Sequence, residues 1–224
     1  MTGRSYRSGI IILTGRGTPR VVTDALCVGL KPFVSSTVRI ECPTPPDTVK
    51  ILPFIDGNEW ITERSGVEGL EKASQFVYEQ IDEMQYQFDI DTEDIVLVGL
   101  SEGGFLSLYT AVTARYKLGG IIGIITYLPY LDELTKEAMN WNQVNSDTPV
   151  LHMNGRQDPI ITKEMGRATA NALRQFINDY TWVTYNGLHG DFLIHNPLSL
   201  RKIVKWLDDK TTVNVRLCWI PFVC

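Results

Sequence analysis

Residues 95–104 read Ile95-Val-Leu-Val-Gly-Leu-Ser-Glu-Gly-Gly104, an apolar strand pattern that runs through Gly99-x-Ser101-x-Gly103 into a helical one. A strand that turns into a helix within so few residues holds its central serine in a strained conformation, and only small neighbours let the two backbones approach. The glycines are steric requirements, and Ser101 becomes a hydroxyl presented at the carboxyl end of a strand. An ordinary strand-to-helix turn is the plain alternative.

Outward from this stretch, Ile10–Leu13, Thr37–Glu41, Gly120–Thr126, Pro149–Met153 and Thr181–Tyr185 read as further strands, several of them apolar without polar alternation. That pattern suits a sheet buried on both faces. Between them Gly66–Phe88 places Leu70, Ala73, Phe76, Val77, Ile81 and Met84 three or four residues apart, one apolar face of a helix. Phe105–Tyr116, Lys163–Asn178 and Leu198–Asp208 are the other expected helices. Strands alternating with such helices predict an α/β fold with a mostly parallel central sheet, whose ligand sites lie at the carboxyl ends of its strands. No repeat or long linker interrupts residues 1–224, which are expected to form one domain.

Two regions depart from the pattern. Cys42–Arg64 carries Pro43, Pro45, Pro46 and Pro53, which argue against a regular helix or a central strand and for a long functional loop or an irregular flap. The segment Thr211–Cys224 is rich in apolar residues and reads as an edge strand or docking segment. Packing against the parent sheet is favoured there over contact with a membrane surface or partner through Cys218, Trp219 and Cys224.

The composition bounds the function. With 224 residues, 44% hydrophobic and 21% charged, the chain can bury a substantial core. A net charge of −5 supplies no broad cationic field for nucleic acid. Cys27, Cys42, Cys218 and Cys224 form no CxxC pair, and His152, His189 and His195 lack zinc-finger spacing, so no metal is expected. The apolar run Ile10–Leu13 is too short for a signal-peptide core. The longest apolar stretch, Leu118–Leu131, is broken by glycines and Pro129 and falls short of the roughly 20 residues of a membrane helix.

A serine hydroxyl needs a base to take its proton and a carboxylate to orient that base, in the chain order Ser, Asp or Glu, His. His152 lies inside an apolar strand and reads as a packed structural residue. His189 follows the strand Thr181–Tyr185 in the turn Gly187-Leu-His-Gly190 and is the favoured base, with His195 its competitor. Asp158, after the strand Pro149–Met153, is the favoured orienting carboxylate over Asp179 and Asp191; an Asp before Pro also reads as a helix cap. Oxyanion donors are expected from the backbone N–H of Glu102, following the serine, and of Arg16 in the loop Leu13-Thr-Gly-Arg-Gly17.

These residues resemble the acyl-protein thioesterase and lysophospholipase (carboxylesterase) family of α/β hydrolases. The likeness is closest over Val96–Tyr130, where Gly99-Leu-Ser-Glu-Gly-Gly104 resembles the family's G-F-S-Q-G-G and Leu128-Pro129 recurs, and extends loosely over Ile10–Asp208. Cys42-Pro-Thr-Pro-Pro46 resembles its C-P-x-A-P, and Gly155-Arg-Gln-Asp-Pro159 its G-x-x-D-P. The resemblance implies an α/β-hydrolase fold, Ser101 as nucleophile, Asp158 and His189 as partners, and the amides of Arg16 and Glu102 as oxyanion donors. It implies a cytoplasmic enzyme without cofactor that acts on S-acylated proteins, lysophospholipids or short esters. Departures are Thr14-Gly-Arg-Gly-Thr18 where the family has H-G-x-G-D, Glu102 for glutamine, Asn154-Gly155 for H-G, and a histidine turn one residue short.

The resulting expectation is a serine hydrolase that removes palmitoyl groups from protein cysteines through an acyl-enzyme. A lysophospholipase or short-chain carboxylesterase, and a weakly catalytic binding protein on the same scaffold, are its rivals. Ile51–Ile55, Leu30, Phe33 and Tyr127–Tyr130 are expected near an acyl slot, although core packing suits each apolar residue individually.

Overall fold

The computed structural model describes residues 6–52, 55–61, 66–136, 143–189 and 197–216. Six strands, β1 (Ser8–Leu13), β2 (Val38–Glu41), β5 (Ile95–Leu100), β6 (Gly120–Ile124), β7 (Val150–Gly155) and β8 (Tyr180–Tyr185), pair in the order β2-β1-β5-β6-β7-β8. Every pairing is parallel. This is the mostly parallel α/β sheet expected from the apolar strand runs, and it fits the α/β-hydrolase fold that the family resemblance implies.

Because side chains alternate along a strand, these runs feed two cores. Ile11, Leu13, Leu97 and Ile121 face one side, under α2 (Gly66–Phe88), α3 (Glu102–Thr113) and α5 (Lys163–Leu173). Ile10, Ile12, Val96 and Ile122 face the other, under α6 (Pro197–Lys210), which contributes Ile203, Val204 and Leu207. Along α2, Leu70, Ala73, Val77, Ile81 and Met84 are buried at the spacing of one helical face. Each fully buried large aliphatic side chain contributes about 1.5–3 kcal/mol.

Several boundaries differ from the sequence expectation. The helix expected from Phe105 begins at Glu102, because the Ser101 carbonyl accepts from the Gly104 and Phe105 amides and starts the helix at once. The strand expected to reach Thr126 stops at Ile124, since Ile125 turns to φ 47°. The helix expected to reach Asn178 ends at Leu173 and continues as turns. The helices α1 (Arg20–Leu30) and α4 (Leu131–Lys136) were not expected.

The proline-rich region forms a two-stranded antiparallel hairpin, β3 (Asp47–Leu52) and β4 (Ile55–Glu59), separate from the main sheet. Its prolines at 43, 45 and 46 precede the first strand, leaving the ladder free of them. At the other end, Val213 and Val215 are buried, Val215 bridges Val34, and the Arg216 amide donates to the Phe33 carbonyl. The described part of this segment therefore docks; Cys218, Trp219 and Cys224 lie outside the described residues. Among the described residues, no helix is long and apolar enough to cross a membrane.

Candidate active site

Three strand ends build the site. Ser101 leaves β5 with φ 52° and ψ −116°, a backbone region costly for any residue with a Cβ. Its neighbours explain why they are glycines. A Cβ on Gly99 would stand 2.2 Å from the Gly103 carbonyl oxygen, and one on Gly103 would stand 2.2 Å from that of Leu13. The sharp turn and the close passage of the β1 loop both depend on their absence.

Asp158 follows β7. Its carboxylate is buried, and Oδ1 accepts from the amides of Ile160 and Ile161 at 2.8 and 2.9 Å. Both donors fix the carboxylate as an acceptor toward its remaining partner. That partner is His189, whose Nδ1 lies 2.8 Å from Asp158 Oδ2. With its proton on Nδ1, the imidazole leaves Nε2 to accept from Ser101 Oγ at 3.1 Å. The histidine turn, one residue short of the family pattern, still reaches. A Cβ on Gly155 would lie 2.5 Å from the Gly187 carbonyl oxygen, so this glycine admits the turn that carries His189.

Among the competing residues, Asp179 stands at the opposite end of β8 and pairs with Lys210 at 2.9 Å. Asp191 and His195 lie outside the described residues. His152 is fully buried, with Nε2 donating to the Thr126 carbonyl at 2.9 Å and Nδ1 accepting from the Tyr180 hydroxyl at 2.8 Å. Desolvation lowers its pKa to about 4. It is a neutral packing residue away from the serine.

Ser101 opens into a cavity of about 550 Å³. Arg16 and Glu102 line it beside the serine, and the β1 loop passes so close that a Cβ on Gly15 would sit 3.1 Å from Ser101 Cβ. Phe105, Tyr127, Pro129 and Tyr130 form an apolar wall, with Phe105 and Tyr127 edge to face at 4.8 Å. Ile61, Ile160 and Ile161 complete it. Tyr127, Pro129 and Tyr130 thus meet the expected slot. Leu30 and Phe33 do not: they line a separate apolar cavity of about 110 Å³ with Ile10, Ile12 and Val204, because α1 covers the opposite core. The side chains of residues 51–55 lie outside the described part.

The sequence gives no warning of one further connection. Glu102 turns its carboxylate toward the end of β4, where Oε2 accepts from the Trp60 amide at 2.8 Å. Trp60 Nε1 donates to the Thr14 carbonyl at 2.7 Å, and Arg16 Nε pairs with Glu59 at 2.7 Å. The hairpin exit is thereby stitched to both segments expected to supply oxyanion donors. Burial raises the Glu102 pKa to about 7, against the lowering effect of its amide donors. Among the described residues, no group of three or more His, Cys, Asp or Glu side chains is arranged to hold a metal ion.

Comparison with known proteins adds a family to this geometry. An acyl-protein thioesterase 1 of Gibberella zeae is 35% identical over 117 residues, covering 52% of this chain and 49% of that protein. One from Kluyveromyces lactis is 34% identical over 133 residues, covering 56% and 54%. The chain thus matches about half the length of each. The crystal structure of acyl-protein thioesterase 2 from Zea mays superposes with a TM-score of 0.73 over 94% of this chain and 96% of that one; at 19% identity the likeness concerns the fold. The profile of the phospholipase/carboxylesterase family matches residues 59–202, from the end of β4 into α6 and so across Ser101, Asp158 and His189, and on that match the chain belongs to this family.

Proposed function

We propose that the chain is a serine hydrolase that cleaves acyl thioesters or esters through a Ser101 acyl-enzyme. The observation that carries the reading is the continuous chain Ser101 Oγ–His189 Nε2–Asp158 at the mouth of an apolar-walled cavity. Ser101 Oγ attacks the acyl carbonyl as His189 Nε2 takes its proton. Asp158 holds the imidazole in the accepting tautomer and stabilises the imidazolium. The backbone N–H groups of Arg16 and Glu102 receive the developing oxyanion, and the helix that begins at Glu102 adds its N-terminal dipole. His189 returns the proton to the leaving thiolate or alkoxide. Water, activated by the same imidazole, then releases the acid and restores Ser101.

The wall and the relatives support the substrate class proposed. Phe105, Tyr127 and Tyr130 suit an acyl chain, and the relatives are named acyl-protein thioesterases. Depalmitoylation of protein cysteines is the preferred activity. Hydrolysis of lysophospholipids or short esters is a second reading favoured by the breadth of the family's own description. Labelling with a fluorophosphonate probe tests the mechanism: wild type is expected to label and Ser101→Ala to remain unlabelled. No labelling of native wild type would instead support a binding protein on a hydrolase scaffold. Rates on palmitoyl thioester, lysophosphatidylcholine and a p-nitrophenyl butyrate then separate the substrates, and turnover of the short ester alone would overturn depalmitoylation.

A further inference from the structure

The ends of β5 and β6 are both strained. Ser101 donates its amide to the Ile124 carbonyl at 2.9 Å, and Ile125 donates its own to Met153 at 2.7 Å. Ile125 nevertheless has φ 47°, a conformation that a β-branched side chain strongly resists. Strain of this kind persists where surrounding contacts over-determine it. The contacts here belong to the next residue, Thr126.

Thr126 is wholly buried and held at both polar ends. Its carbonyl accepts from His152 Nε2 at 2.9 Å and from Asn154 Nδ2 at 2.7 Å. Those two side chains are fixed in turn by the Tyr180 hydroxyl and Trp182 Nε1 of β8. Thr126 Oγ1 donates to the Ser101 carbonyl at 2.8 Å, with the Tyr127 carbonyl a longer alternative at 3.4 Å. The fit is close. A Cβ on Gly104 would fall 2.5 Å from Thr126 Cβ, and one on Gly123 would fall 2.9 Å from its Cγ2.

The Ser101 carbonyl belongs to the same planar peptide as the Glu102 N–H, and in a trans peptide the two point in opposite directions. Whatever fixes the oxygen fixes the direction of the hydrogen. The Gly104 and Phe105 amides hold that oxygen from within α3. Thr126 holds it from the turn that follows β6, a side-chain contact that ties this peptide to the end of the sheet.

We propose that Thr126 is a positioning residue for the oxyanion site, its hydroxyl aiming the Glu102 N–H by anchoring the carbonyl of the shared peptide. The strained Ile125 delivers that hydroxyl, and His152 and Asn154 hold it in place. This rests on the Ser101 reading above. An oxyanion donor acts on the transition state more than on bound substrate, so its misalignment lowers kcat with little change in KM.

The test measures kcat and KM for p-nitrophenyl butyrate with wild type, Ser101→Ala, Thr126→Val and Thr126→Ser, each corrected for its native fraction by circular dichroism. Thr126→Val is expected to lose about 10- to 100-fold in kcat with KM within about twofold, and Thr126→Ser to recover most of it. Should valine fail to fold in place of threonine, Thr126→Ala, which adds no bulk, takes its part. A folded valine or alanine variant with wild-type kcat, beside an inactive Ser101→Ala, overturns this proposal and leaves the mechanism standing. Equal losses in the valine and serine variants also overturn it. Activity retained by Ser101→Ala overturns the serine reading itself.

Discussion

Asp158 divides its carboxylate between His189 and its own turn: Oδ2 meets Nδ1 at 2.8 Å, while Oδ1 takes the amides of Ile160 and Ile161. Asn at this position would keep the turn through its carbonyl oxygen and present an NH₂ group to the imidazole. Nδ1 would then have to accept, and Nε2 would carry the proton and lose its ability to take one from Ser101. Asp158→Asn is therefore expected to fold normally and lose about 10³–10⁴-fold in kcat, measured by steady-state ester hydrolysis with thermal unfolding as the control.

Gly103 is the point where the helix after the serine crosses the β1 loop. Alanine there sets its Cβ against backbone, 2.2 Å from the Leu13 oxygen and 2.7 Å from that of Thr14, neither of which can rotate away. Gly103→Ala is expected to destabilise the fold by about 1–3 kcal/mol or more and to suppress fluorophosphonate labelling even in the folded fraction. Urea unfolding and labelling of the same sample check both effects.

His152 makes the fold acid-sensitive. An unfolded imidazole takes its proton near pH 6.5, whereas desolvation delays that protonation in the fold to about pH 4. Between these values the unfolded state binds more protons, so stability falls as the pH drops from about 6.5 to 4 and levels off below. The loss reaches roughly 3 kcal/mol. His152→Gln is expected to have a shallower slope than wild type in urea unfolding at pH 4.5, 5.5 and 7.

Glu102 acts in the opposite sense. Its folded pKa of about 7 exceeds the ordinary 4.5, so the folded state binds more protons in that interval. The contribution is present below pH 4.5 and is lost as the pH rises through 7. Glu102→Gln retains an acceptor for the Trp60 amide without the charge. Its stability relative to wild type is expected to improve between pH 5 and 8 by about 3 kcal/mol, read from paired unfolding curves.

Much of this fold is legible in sequence because its central strands are buried on both faces and keep an unbroken apolar character. The positions of Ser101, Asp158 and His189 after strands are legible in sequence; their meeting in space is set by crossovers that no local pattern describes. Helix α1 is not among the expected helices, and Val21, Val22 and Val28 on it are exposed although apolar. The β4 segment Ile-Asp-Gly-Asn-Glu is too polar to read as a strand, and exists through its pairing with β3. The links from Glu102 to Trp60 and from Thr126 to Ser101 span 42 and 25 residues. Their geometry resides in tertiary packing alone.

Ser101 and His189 are 88 residues apart, and the hydrogen bond between them joins turns at the ends of β5 and β8. Their meeting requires the β6 and β7 crossovers to be closed already, and such long loops are among the slowest to form. Assembly of this contact, on which the proposed mechanism depends, is consequently a late event in folding. During renaturation, the short-range pairing of β8 with β7 should run ahead of fluorophosphonate labelling, so that, under the mechanism proposed above, a partly folded molecule stays unlabelled.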